Sequence, residues 1–251
     1  MEESNRIING LWIGNKLNDL QKISIRSFLE HGHAYHLYVY DDSLELPEGT
    51  IRKDANEILD KKYIFRDNNG SLSFFADLFR YVLLYEAGGW WVDLDQICIQ
   101  AFDFEDKYVF ATENIVNSYN NHTACINIGV IKVPRHSDIM KHCMERSFAL
   151  YKENFPNIAW ATFGRAVVEE YIEENPEYAD YAYSPHVFCP ISPYLFEVLL
   201  TDCLIEFTDE SASVHFWNEL IRSRKIDLDN SNFHENSFYV RMRKKYLGHG
   251  D

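Results

Sequence analysis

Residues Phe74 to Asp95 read FFADLFRYVLLYEAGGWWVDLD and carry both a helical pattern and an acidic pair. Phe74, Phe75, Leu78, Phe79, Val82 and Leu83 recur at three- and four-residue spacing, which predicts a helix with a wide apolar face. Asp77 and Arg80, three apart with Tyr81 beside them, fall on the other side and can point together into one cleft. The alternative for that pair is a surface i,i+3 ion pair worth a few tenths of a kcal/mol. Gly88-Gly89 reads as the helix stop, Trp90-Trp91-Val92 as a short buried strand, and Asp93 and Asp95 as its acidic end. Side chains at i and i+2 of an extended segment leave on one side. Two hard oxygen ligands so placed suit a divalent ion of the Mg or Mn type that keeps positions open for substrate oxygens, as on a phosphate.

Outward from this stretch the elements alternate. Arg6 to Ile13 reads as a first strand, Leu17 to Glu30 as a helix and Tyr35 to Tyr40 as a second strand, a β-α-β start of Rossmann type. It contains no GxGxxG, which argues against a dinucleotide enzyme and leaves nucleotide binding to side chains and a metal. Arg52 to Lys61 is expected to be helical, and Lys62 to Gly70, rich in Asp, Asn and Gly, to be an exposed connection. Tyr108 to Thr112 and Ala124 to Val133 are expected strands, the latter holding Asn127-Ile128-Gly129. Ser137 is the expected cap of a helix running to Lys152. Beyond it, Thr162 to Glu174 and Tyr194 to Leu200 read as helices, so the second half is the more helical one.

A chain of 251 residues with 46% hydrophobic and 15% aromatic residues fits one α/β domain with a sizeable core. A formal net charge of -15 excludes nonspecific binding to nucleic acid or to an anionic membrane by the body of the protein. An anionic ligand then depends on a metal and on local cations. No apolar run approaches the roughly 18 residues of a membrane span, and MEESNRIING lacks a signal-peptide pattern, so a soluble cytoplasmic protein is expected. Five cysteines without CxxC or Cys/His spacing read as reduced, mostly buried thiols. The cluster Arg241, Arg243, Lys244 and Lys245 reads as a solvated basic tail, with peripheral docking beside a lipid-linked acceptor as the alternative.

The run ADLFRYVLLYEAGGWWVDLD, Ala76 to Asp95, resembles the DxD-containing retaining glycosyltransferases of GT-A fold. That group includes capsule and lipopolysaccharide sugar transferases, α1,4-galactosyl- and mannosyltransferases, and, more distantly, the glucosyltransferase domains of large clostridial toxins. IINGLWIGNKL at Ile7 to Leu17 is similar to the family's first strand, and SVHFWNEL at Ser213 to Leu220 to the segment that closes its metal site. The three patches keep the family's order over most of the chain. The resemblance implies one GT-A domain with a Rossmann-like mixed sheet flanked by helices. Residues 1–135 would bind a nucleotide sugar, and residues 136–251 would supply the acceptor side and the metal-closing segment.

The resemblance also implies roles. Asp95, with Asp93 and His215, would hold Mn2+ or Mg2+, Asp93 also meeting the ribose. Trp12 would stack on the uracil of a UDP-sugar, and Asp77 and Arg80 would grip the donor sugar, Arg80 lying also near the phosphate. Asn127 would face the donor, and the indole N–H of Trp217 would meet the departing diphosphate. The implied reaction moves a hexose to a glycan or lipid-linked acceptor with retention, in bacterial surface polysaccharide synthesis. Two departures stand out. Trp90-Trp91 replaces smaller residues and narrows the expected sugar pocket, leaving donor choice open. Trp160 to Arg165 reads WATFGR where relatives often have Gly-Pro, so acceptor identity does not carry over. A catalytically inactive sugar-binding protein on the same fold and a phosphatase with a DxD nucleophile are the competing readings.

Overall fold

The computed structural model describes residues 1–68, 70–116, 122–157 and 164–248. The first half runs β1 (Ile7–Trp12), α1 (Asp19–Glu30), β2 (Ala34–Val39), β3 (Ile51–Asp54), α2 (Ser73–Ala87), β4 (Gly89–Val92), β5 (Gln96–Cys98), β6 (Val109–Val116) and β7 (His122–Val133). Helices α3 (Asp138–Asn154), α4 (Arg165–Glu174) and α5 (Pro185–Phe188) follow, then β8 (Ser213–His215), α6 (Asn218–Ser223) and α7 (Phe238–Leu247). Six strands form one sheet in the order β3-β2-β1-β4-β7-β6. The first four are parallel; β7 runs antiparallel to β4, and β6 antiparallel to β7. Strands β5 and β8 make a separate antiparallel pair.

Both faces of the sheet are covered, as the near-continuous apolar strands require. Along β4 the alternation sends Trp90 and Val92 into the core shared with α1 and α7, and Trp91 into the core shared with α2, α3 and α4. From β1 the chain turns to β2 on one side, while β4 pairs on its other side. The carboxyl ends of β1 and β4, at Trp12 and Asp93, therefore adjoin the crevice where open α/β sheets bind ligands.

Several sequence expectations are corrected. Ile51 to Asp54 is an edge strand in register with His36 to Val39, so ladder hydrogen bonding overrides the helical pattern of Arg52 to Lys61. The rest of that span holds two short 3-10 turns, at Ala55–Glu57 and Lys61–Tyr63. Asp54 and Asp60 cap them, accepting from the amides of Asn56 (2.8 Å) and Lys62 (2.9 Å). The connection to Gly70 is only partly exposed: Phe65 and Asp67 are buried, and Asp67 Oδ1 accepts from the Ser71 amide at 2.8 Å. Ser137 occupies the cap position of α3, but its buried hydroxyl makes no hydrogen bond. Tyr194 to Leu200 belongs to a 3-10 helix, Pro193–Leu200. In Thr162 to Glu174 the described helix begins at Arg165; Trp160 to Phe163 lie outside the described residues.

The basic cluster is part of a docked helix rather than a tail. Helix α7 buries Phe238, Tyr239 and Tyr246, while Arg243 pairs with Asp19 (3.2 Å) and Lys245 with Glu30 (2.8 Å), both on α1. Cys98, Cys143 and Cys189 are buried, Cys203 is exposed, and none of the five cysteines forms a disulfide. Among the described residues no helix is long and apolar enough to cross a membrane.

Gly88 lets α2 turn directly into β4. Its φ is +68°, and a Cβ there would fall 2.4 Å from the backbone nitrogen of Arg135. Left-handed strain and a backbone clash act together, so Gly88→Ala should lower the unfolding free energy by about 2 kcal/mol or more. Urea denaturation read by tryptophan fluorescence checks this; a variant as stable as the parent contradicts it.

Candidate active site

Asp93 leaves the end of β4, and the Gln96 amide donates to its carbonyl at 3.0 Å. The Asp-x-Asp segment is thus a tight turn between β4 and β5, not the extended run its spacing suggested. Its two carboxylates are aimed by different partners. Asp93 Oδ1 accepts from Trp91 Nε1 (2.7 Å) and Arg80 Nη2 (2.7 Å), while Arg80 Nη1 donates to Asp77 Oδ1 (2.9 Å). The Arg80 guanidinium also lies over the Trp91 ring, 4.8 Å from its centroid. Gly129 sits behind Asp93: its carbonyl accepts the Asp93 amide at 2.8 Å, and a Cβ there would fall 3.1 Å from Asp93 Oδ2.

Asp95 is completed from the far end of the chain. The β5–β8 pairing sets Gln96 opposite His215, and the Phe216 amide donates to the Asp95 carbonyl at 2.9 Å. His215 Nε2 then lies 3.2 Å from Asp95 Oδ2, which also accepts from the Asn218 amide at 2.7 Å. Each of Asp93, Asp95 and His215 offers a ligand atom within 4.8 Å of the others.

Burial and charge shape the ionisation. Burial pushes Asp77 up to about 6 despite the opposing Arg80. Burial would also raise Asp95, but His215 and the Asn218 amide hold it below the ordinary carboxylate value. Burial alone would lower His215; the Asp95 carboxylate outweighs it and raises the imidazole well above its usual range. The donor set fits a divalent cation of Mn or Mg type: two carboxylates and one imidazole converge, and Arg80 and Trp91 engage only Oδ1 of Asp93, leaving Oδ2 for a ligand. Asp93, Asp95 and His215 would hold such a cation, and His215 would have to give up its Nε2 proton to do so.

Asp93 and Asp95 open onto a cavity of about 410 Å³, whose lining does not include His215. Trp12, Asp77, Arg80, Asp93 and Asp95 all line it. Trp12 Nε1 donates to the Lys16 carbonyl at 3.0 Å, which anchors the indole at the wall. Trp91 lines the cavity too, where it narrows the space beside Asp93.

Two expected residues turn away. Trp217 Nε1 donates to the Ile191 carbonyl at 3.0 Å, so that N–H is committed within the protein. The residue has φ +56° and lays its ring on His215, centroids 3.9 Å apart, serving as a brace for the imidazole. Asn127 lies behind the carboxylates rather than in the cavity: its Oδ1 accepts the Gly129 amide (2.8 Å), and its Nδ2 donates to Glu113 Oε2 (2.9 Å). Arg80 is also less available than expected, being 3% exposed with both terminal nitrogens on carboxylates.

Sequence reasoning missed the cations and hydroxyls that do face the cavity: Arg66, Ser71, Ser73 and Arg222, with Glu219 beside the last. Arg222 meets Glu219 through Nε (3.1 Å) and Nη2 (2.6 Å), and both are exposed. The signal of Glu219 and Arg222 was present as an i,i+3 pair that begins within the SVHFWNEL patch.

The raised Asp77 gives a pH test. The folded protein keeps its proton up to about 6, whereas an unfolded carboxylate releases it near 3.8. Stability contributed by the protonated form is complete below pH 3.8 and is lost as pH rises through 6. Relative to Asp77→Asn, the wild-type protein should therefore lose unfolding free energy across that window. Denaturant titrations of both proteins at several pH values check the sign; a difference independent of pH contradicts it.

Residues 18–121 match the family described as "Glycosyltransferase sugar-binding region containing DXD motif", a span that contains α2, Asp77, Arg80, Asp93 and Asp95. No curated protein matches the chain. Among solved structures, PaToxG glycosyltransferase superposes with a TM-score of 0.53 at 11% identity, covering 97% of this chain and 86% of that one. The apo-form glycosyltransferase GlyE of Streptococcus pneumoniae TIGR4 gives a TM-score of 0.41 at 13% identity, over 72% of this chain and 46% of that one. Over residues 18–121 the chain is thus similar to the sugar-binding region of DXD glycosyltransferases, and its α/β fold is similar to that of PaToxG glycosyltransferase.

Proposed function

We propose that this protein is a metal-dependent, retaining hexosyltransferase that moves a sugar from a UDP-sugar to a glycan or lipid-linked acceptor in bacterial surface polysaccharide synthesis. The observation that carries the reading is the convergence of Asp93, Asp95 and His215, with Asp93 and Asp95 lining a cavity that Trp12 also lines. The nucleotide base lies at Trp12, the diphosphate beside the carboxylate pair, and the sugar against Asp77 and Trp91. Residues 1–135 thus supply most of the donor site, and residues 136–251 the closing segment and the acceptor side.

Breaking the bond between the anomeric carbon and oxygen leaves charge on the diphosphate, so stabilising that group is the main catalytic demand. A bound Mn2+ or Mg2+ supplies Lewis-acid neutralisation of that charge. This chain's residues prepare the site for it. Arg80 holds Asp93 in one rotamer, the Asn218 amide and His215 hold Asp95, and Trp217 covers the imidazole. Asp77, reaching the cavity beside Arg80, orients the sugar hydroxyls. Asp77 at the proposed sugar position is tied to Arg80, so retention is assigned to front-face substitution, with the departing diphosphate taking the acceptor proton.

Arg222 and Arg66 provide the cations that Arg80 does not. Of the basic cluster on α7, Arg241 and Lys244 are left for contact with a lipid-linked acceptor at the cytoplasmic membrane face, since Arg243 and Lys245 are spent on α1.

Release of UDP from a panel of UDP-sugars, with and without Mn2+, tests the assignment. Asp95→Ala should reduce metal-dependent release by about 100-fold or more; unaltered turnover with added Mn2+ would remove Asp95 from the reaction. UDP-sugar binding with no release under any condition would favour the inactive sugar-binding alternative. Arg222→Gln should weaken UDP binding by about tenfold, the scale of one lost charge-assisted contact. Isothermal titration with UDP checks this, and unchanged affinity would place Arg222 outside the donor site.

A further inference from the structure

His215 can give Nε2 to a cation only if its other ring nitrogen carries the proton, and that proton needs an acceptor in a buried site. Two side-chain atoms reach Nδ1: Asn127 Nδ2 at 3.5 Å and Cys189 Sγ at 3.9 Å. The Asn127 amide has no freedom to turn round. Its oxygen accepts from the Gly129 amide and its nitrogen donates to Glu113, and reversing it would set donor against donor and oxygen against carboxylate. Asn127 therefore presents an N–H to the ring and stabilises only the form in which Nδ1 is bare and Nε2–H points at Asp95. That form has no lone pair for a cation.

Resting on the cation reading of the preceding section, we infer that Cys189 is a positioning residue whose sulfur accepts the Nδ1–H of His215 and so selects the tautomer that turns the Nε2 lone pair toward Asp93 and Asp95. Cys189 enters from the end of α5 and is 1% exposed. Burial raises its thiol above the ordinary value, so it acts as a neutral hydrogen-bond partner and not as a thiolate ligand. Asn127 and Cys189 thus make opposite demands on Nδ1, and only Cys189 suits the imidazole of the cation-loaded site.

The test compares two replacements of similar size. Mn2+ binding to the nucleotide-free protein is read from the electron paramagnetic resonance of the unbound ion, with Asp95→Ala as the control that identifies the site. Cys189→Val fills the space without an acceptor and should weaken Mn2+ by about 10- to 100-fold, the range for removing a partner of a ligating histidine. Cys189→Ser, which restores an acceptor, should recover most of the wild-type affinity. A folded Cys189→Val protein that binds Mn2+ as tightly as wild type, while Asp95→Ala does not, would overturn the inference and leave the cation reading standing. Loss in both variants to the same degree would make Cys189 a packing residue and also overturn it. Absence of Asp95-dependent Mn2+ binding in the wild-type protein would sink the cation reading and this inference with it. Without any substitution, nitrogen-15 shifts of His215 in the zinc-saturated protein should report a protonated Nδ1; a protonated Nε2 would contradict the inference.

Discussion

Arg80 is the hinge of the site. It is buried, stacked on Trp91 and bonded to both Asp77 and Asp93, so one guanidinium ties the motif helix to the Asp-x-Asp turn. Taking that cation away would leave two carboxylates facing each other in a poorly solvated space, and breaking a buried pair of this kind costs about 3–5 kcal/mol. The arrangement is therefore held by charge balance as much as by packing. It also explains why Asp93 presents Oδ2 to the cavity: its other oxygen is already occupied by Arg80 and the Trp91 N–H.

The protein has a formal net charge of -15, and four acidic side chains, Asp77, Asp93, Asp95 and Glu219, line the cavity in which the proposed anionic donor would be held. Electrostatics in such a site cannot be left to the general field. Arg80 is internally compensated, so attraction in the proposed donor site would fall to a bound cation and to the exposed Arg66 and Arg222. Buried groups set geometry, and exposed groups respond to the ligand. That division places precision where water is excluded and adaptability where the donor enters.

The second layer is organised around His215. Trp217 in a left-handed conformation covers one face of the ring, Asp95 meets Nε2, and Asn127 and Cys189 meet Nδ1. These partners come from the turn before β5, from β7, from the end of α5 and from the segment after β8, so the imidazole reports the assembly of most of the fold. A non-glycine residue at positive φ costs about 1–2 kcal/mol, and Trp217 tolerates it because its ring and its N–H are both engaged.

The motif helix, the glycine stop, the buried strand and the acidic pair were all legible in one stretch, because apolar periodicity and Gly88 act over a few residues. The β-α-β start and the placing of Trp12 at a strand end were legible for the same reason. Local pattern misjudged Arg52 to Lys61, where pairing with β2 made an edge strand, and it read the Asp-x-Asp segment as extended where the link to β5 made a turn. The family resemblance gave Trp217 and Asn127 to the donor, though one N–H bonds Ile191 and the amide bonds Glu113 and Gly129. Residue types and their near-neighbour spacing determined the fold class and the chemistry on offer. Which oxygen of each carboxylate is free, which arginine is spent and which side chains flank the histidine were decided by contacts between distant segments, because hydrogen-bond donors and acceptors are allotted only once those segments meet.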